Sequence, residues 1–156
     1  MEGQNRPDRR FDKLYEQYVP ELYRAALYLL GDREAAAQAA ECAWLAAVRA
    51  CGDCDERAFP VEYTRLLLGC CDRLHRGVDY QIDEVAPSLS IRALELLLPL
   101  SRLGYSERRL VVLSAVQGFS PAEIARILRI PPRLVEARLQ HAVGKLCRKT
   151  VAVPAS

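Results

Sequence analysis

Ser120-Pro-Ala-Glu-Ile-Ala-Arg-Ile-Leu-Arg-Ile-Pro-Pro-Arg-Leu-Val-Glu-Ala-Arg-Leu-Gln-His-Ala-Val-Gly-Lys-Leu146 is the stretch of this 156-residue chain that decides its fold. Ser120 and Glu123 have the spacing of a capping box, and Pro121 takes the first helical position, where a missing N–H is no loss. The pattern predicts a helix over Pro121–Arg129, a tight turn at Ile130-Pro131, and a longer helix from Pro132. Val135, Leu139, Ala142 and Leu146 share one face of that second helix. Ala125 falls where two crossing helices meet and only a small side chain fits. Ile124, Leu128, Ile130 and Val135 can close the core between them. This is the pattern of a helix-turn-helix whose second helix enters the DNA major groove. An ordinary helical hairpin is the plainer alternative.

Working outward, the rest of the chain also reads as helical. Phe11, Leu14, Tyr15, Tyr18, Leu22, Ala25, Ala26 and Leu29 step by three and four. Pro20 interrupts them, as a kink or as the first turn of a second helix. Asp32 is placed to cap an alanine-rich helix over 33–50. A third helix is expected from Pro60 to Arg76, with Tyr63, Leu66, Leu67, Cys70 and Leu74 inward. The period is lost over 77–88, a candidate linker. A short helix over 89–98 should precede Pro99, and Ser106 can cap a helix of about 107–117 that ends at Gly118.

Charge divides the chain. Residues 1–80 carry eleven Lys/Arg against fourteen Asp/Glu, and residues 81–156 carry eleven against six. From Arg102 onward only Glu107, Glu123 and Glu136 oppose ten basic residues. Such a split suggests two modules, the basic one facing an anionic partner such as nucleic acid. No apolar run approaches the roughly 18 residues of a membrane span. The opening Met1-Glu2-Gly3-Gln4-Asn5-Arg6 is too polar for a signal peptide, so a cytoplasmic protein is expected.

The chain resembles the extracytoplasmic-function (ECF) sigma factors of bacterial RNA polymerase. In the second half the resemblance rests on Leu94, Leu97-Leu98-Pro99, Arg109 to Leu113, Gly118 to Leu128, Val135, Arg138-Leu139, Ala142 and Leu146. In the first half it rests on Phe11 to Tyr15, Tyr18, Leu22-Tyr23-Arg24, Ala26 and Leu30 to Glu34. It implies an all-α chain of two small helical domains: residues 8–77, which grip core polymerase and the minus-ten element, and residues 89–149, whose helix-turn-helix reads the minus-thirty-five element. Residues 78–88 would join them. Promoter DNA, core RNA polymerase and an anti-sigma factor are the implied partners, with no cofactor and no metal.

By the same resemblance, Glu34, Gln38, Glu41 and Leu45 would contact polymerase. Asp72, Arg73 and Arg76 would contact the promoter, as would Ser120, Arg133, Arg138, His141 and Lys145. The chain departs from the family at several of these surfaces. An acidic pair is replaced by Ala37-Gln38, with Glu41 where a glutamine is usual. Val61 takes the place of a tryptophan, and Leu67-Leu68 that of an Arg-Asn pair on the surface expected to hold the promoter. Glu136, His141, Val143 and Gly144 stand at positions commonly basic. These departures motivate a rival: a sigma-like regulator that binds polymerase or another protein without initiating transcription. A DNA-binding regulator that dimerises through its acidic half is a second.

Six cysteines admit three readings. Cys51 and Cys54 have zinc-knuckle spacing, with Cys70, Cys71 and His75 as further ligands. The same pair could be a dithiol switch. Packing is the plainer reading, with Cys42, Cys70 and Cys147 on apolar faces. Trp44, the single tryptophan, reads as a packing residue. Only two histidines occur, each expected on a helix surface. With no phosphate-cradling loop and no paired carboxylates in a pocket, nothing points to an enzyme.

Overall fold

The computed structural model describes residues 5–50, 59–80, 95 and 98–151, with side chains described between residues 12 and 146. Cys51, Cys54, most of the 78–88 linker and the side chains of Phe11, Cys147, Arg148 and Lys149 lie outside this set. The described residues are all-α. They form α1 (Asn5–Leu30), α2 (Arg33–Ala50), α3 (Phe59–Leu74), α4 (Tyr105–Val111), α5 (Pro121–Leu128) and α6 (Pro132–Val151). A 3-10 turn, His75–Gly77, follows α3, and a π turn, Val112–Val116, extends α4. None of the described helices is long and apolar enough to cross a membrane.

Pro20 lies inside α1, which passes through it as one helix. Gly31 (φ +63°) ends that helix in the left-handed region that glycine enters without a Cβ clash. The Asp32 carboxylate then accepts from the Ala35 N–H at 2.9 Å, capping α2 as its sequence predicts. On α2 the buried residues are all alanine: 35, 36, 39, 40, 43 and 47. Small side chains let α1 and α3 approach its backbone closely. Trp44 closes the far end of this bundle, edge-on to Tyr15, Phe59 and Tyr63 at centroid distances of 5.2 to 6.3 Å. It is a packing residue.

Several local expectations shift. Helix α4 begins at Tyr105 with Gly104 at its N-cap, so Ser106 is not the cap. Helical structure runs over 98–101, through Pro99. Leu67 and Leu68 are buried, so they belong to the core and do not replace polar groups on a promoter-facing surface. Cys42 is exposed rather than on an apolar face. His75 stacks flat on Tyr105, with centroids 3.8 Å apart, instead of standing free in solvent.

One hydrophobic core runs through both halves, from Leu22 on α1 to Ala142 on α6. That continuity explains the last turn of α1, where Leu27, Tyr28, Leu29 and Leu30 are all buried. A surface helix hides one stripe; this turn is enclosed on every side because the C-terminal half packs over it.

Candidate nucleic-acid interface and the seam behind it

The capping box forms as its four residues predict. Glu123 donates its N–H to Ser120 Oγ (3.2 Å), and Ser120 donates its N–H to Glu123 Oε1 (3.1 Å). These bonds favour the carboxylate and hold the Glu123 pKa below its ordinary value. Helix α5 ends with Arg129 in the left-handed region (φ 58°), and the Ile130 N–H donates to the Ala125 carbonyl (3.1 Å). Ile124, Ala125, Ile127, Val135 and Ala142 are buried between the two helices, with Leu128, Ile130 and Leu139 half-covered. Ile127 is a core residue that the sequence pattern did not single out.

Arg133, Arg138 and His141 are exposed on α6. At about 100° per residue, Arg133 and Arg138 lie about 140° apart around that helix. Arg133 shares the outward face with Gln140. Arg138 and His141 instead line a cavity of about 500 Å³ with Glu107, Arg109, Leu110, Leu128 and Ile130. Lys145 is held by Glu107 at 2.7 Å, tying α6 to α4. Of the α5 start, Ser120 and Glu123 use each other's N–H groups and Pro121 has none. The Ala122 N–H lies in the same first turn.

On the other half, Glu34, Gln38, Glu41 and Leu45 form one exposed stripe along α2, opposite its buried alanines. Arg73 and Arg76 are exposed, whereas Asp72 is engaged from across the molecule. Tyr105 donates its hydroxyl to Asp72 Oδ1 (2.7 Å), and Arg109 Nη1 pairs with Oδ2 (3.3 Å). Burial and the acceptor Asp72 together push the Tyr105 hydroxyl pKa far up, with burial the larger cause.

The seam between the halves was invisible in the sequence. Arg108 donates through Nε to the Leu100 carbonyl (2.9 Å), through Nη1 to Leu29 (2.7 Å) and through Nη2 to Leu103 (3.0 Å). Its guanidinium lies 4.4 Å from the centroid of the Tyr80 ring, and burial pulls its pKa down. Tyr80 donates its hydroxyl to the Tyr28 carbonyl (2.7 Å). Arg65 on α3 donates to the Arg126 carbonyl of α5 (2.9 Å). Nothing in the period of either half marks these residues, whose partners in the other half lie 52 to 79 positions away.

Residues 93–146, which contain α4 to the greater part of α6, match the family described as Sigma-70, region 4. The chain also shares the fold of CnrH, solved in complex with the cytosolic domain of CnrY. That likeness has a TM-score of 0.77 at 24% identity and covers 94% of this chain and 90% of CnrH. No curated protein sequence matches the chain. A sigma-like role in transcription follows from the region 4 match together with the helix-turn-helix geometry.

The zinc and thiol readings fare differently. Among the described residues no group of three or more His, Cys, Asp or Glu is placed to hold a metal. Cys70 and Cys71 are buried, and burial, reinforced by Cys70 and Asp72, pushes the Cys71 thiol up to about 12. A thiol of that kind is almost wholly protonated at neutral pH and inert.

Proposed function

We propose that this chain directs core RNA polymerase to promoters, with residues 8–77 and 89–149 as its two working domains. The observation that carries this reading is the capped helix-turn-helix within the region 4 match, its outward α6 face bare and Arg133 upon it. The exposed α2 stripe of Glu34, Gln38, Glu41 and Leu45 would dock on polymerase. Arg73 and Arg76, with Asp72 once it is released from Tyr105 and Arg109, would meet the promoter near the start site. Arg133, Arg138, His141, Lys145 and the Ala122 N–H beside Ser120 would hold upstream DNA, mostly through phosphates. CnrH is bound by the cytosolic domain of CnrY, and a regulatory protein of that kind is proposed as a partner here. Its place of work would be the cytoplasm.

The test is reconstitution with core polymerase on fragmented genomic DNA of the host, followed by sequencing of transcript 5′ ends. Discrete starts sharing an upstream motif are expected. Stable polymerase binding without new starts would replace this reading with the non-initiating regulator.

A further inference from the structure

We propose that Glu136 reads sequence: its carboxylate, exposed on α6, accepts from the exocyclic amino group of a cytosine in the major groove and so sets a C·G pair at one position of the upstream element. The inference deepens the promoter-directing reading given above and rests on it.

The acids of the C-terminal part single this residue out. From Arg102 onward the chain has three, Glu107, Glu123 and Glu136. Glu107 is spent on Lys145 at 2.7 Å, and Glu123 on the capping box. Glu136 is exposed and has neither a hydrogen bond nor an ion pair among the described residues. The packing of the fold does not use it, and no cation of the fold neutralises it.

Its place on α6 suits base readout. Val135 and Ala142 are fully buried and fix the inward side of that helix. At about 100° per residue, Arg133, Glu136 and Gln140 fall within about 60° of one another, away from that side. All three are exposed. Arg138, His141 and Lys145 lie on the other flank, toward the cavity and Glu107. Glu136 also stands within about two turns of the start of α6, the part of a recognition helix whose side chains reach base edges.

Chemistry then selects the base. Phosphates and the base acceptors N7, O6 and O4 repel a carboxylate, so Glu136 lowers affinity wherever the sequence gives it no donor. The major groove offers two donors, the amino groups of cytosine and adenine. Adenine sets its N7 acceptor beside that group on the same edge. Cytosine presents the amino group with no acceptor of its own, and it is the better partner for an acceptor-only side chain. Arg133, one turn earlier, takes a phosphate and holds α6 in register.

The experiment is a selection. The full chain, alone and assembled with core RNA polymerase, is offered duplexes carrying a random core, and the retained DNA is sequenced. Wild type, Glu136→Ala and Glu136→Gln are compared, with circular dichroism to verify that the variants keep the wild-type helix content. Wild type is expected to enrich a motif with one position at which C·G exceeds the other pairs about tenfold. Glu136→Ala should lose that preference at that position alone. Glu136→Gln should shift it to A·T, since a carboxamide matches both the donor and the acceptor of adenine. One motif shared by all three proteins would overturn the assignment. A gain in affinity for Glu136→Ala at every sequence, with the motif unchanged, would make Glu136 a charge that only repels phosphate. A wild type that enriches no motif in either state would bring down the promoter-directing reading, and this assignment with it.

Discussion

Arg108 and Tyr80, stacked at 4.4 Å, donate to the carbonyls of two consecutive residues, Leu29 and Tyr28, at the end of α1. A helix end leaves its last carbonyls without intrahelical partners, and here side chains from elsewhere in the chain supply them. The end of α1 is thereby both capped and roofed.

Gly31 should be the least replaceable glycine described. It needs φ +63°, and a Cβ would meet the Tyr80 ring; Gly118 needs φ +73° but faces open space. Gly118→Ala should cost about 1 kcal/mol of backbone strain. Gly31→Ala should cost about twice that or more, since Tyr80 must also move. Chemical denaturation of both variants checks the ordering.

Restoring the family pair at Leu67 and Leu68 should damage the protein rather than its promoter contacts. Leu67 is fully buried in the hydrophobic core, where a guanidinium would be costly to desolvate. Leu67→Arg is expected to lose more than about 3 kcal/mol, seen as a large drop in melting temperature, with no gain in DNA affinity.

Ser120→Ala removes one bond of the capping box and should cost about 1 kcal/mol, measured by urea unfolding. The reciprocal half has a pH signature. Because the Glu123 pKa is depressed in the folded chain, its contribution is complete above the ordinary glutamate value of 4.5 and fades as pH falls through the lower folded value. Glu123→Gln can still accept from the Ser120 N–H but lacks the charge, so it should lower neutral stability by about what the wild type loses in acid and flatten that acid-side loss.

The two kinds of cysteine should separate by reactivity. Exposed Cys42 should be alkylated readily by iodoacetamide in the native protein, and Cys71 only after denaturation. Peptide mass spectrometry of native and unfolded samples reads both sites at once. Native labelling of Cys71 would mean that its cover opens far more often than a packed core allows.

What the sequence showed, and what it hid, follows from the range of the forces. Ser120, Glu123 and Asp32 act on backbone three residues away, so a short string of letters is enough to place them. The close packing of α2 follows from its alanines, whereas its exposed stripe was expected only from the family resemblance. Leu68, Cys71 and Thr64 were missed because α3 is buried on more than one side, which a single-face reading cannot anticipate. Arg108 looks like any surface arginine beside Arg109; its partner on α1 is 79 positions away. Asp72 was read only as a promoter contact for the same reason, its partners lying 33 and 37 positions on.

The geometry of α6 makes a last prediction about its two exposed arginines. Arg133 faces away from the core on the side a duplex would approach, whereas Arg138 lies on the flank that borders the cavity with Arg109 and His141. A phosphate contact contributes nearly one unit to the slope of log affinity against log salt. Arg133→Ala should therefore weaken duplex binding at all sequences and lower that slope by about one. Arg138→Ala should lower it by less, because Arg138 lies on the flank of α6 that lines the cavity with Glu107 and His141. Anisotropy titrations across a salt series measure both slopes, and equal losses for the two variants would mean that DNA meets the cavity flank of α6 instead of its outward face.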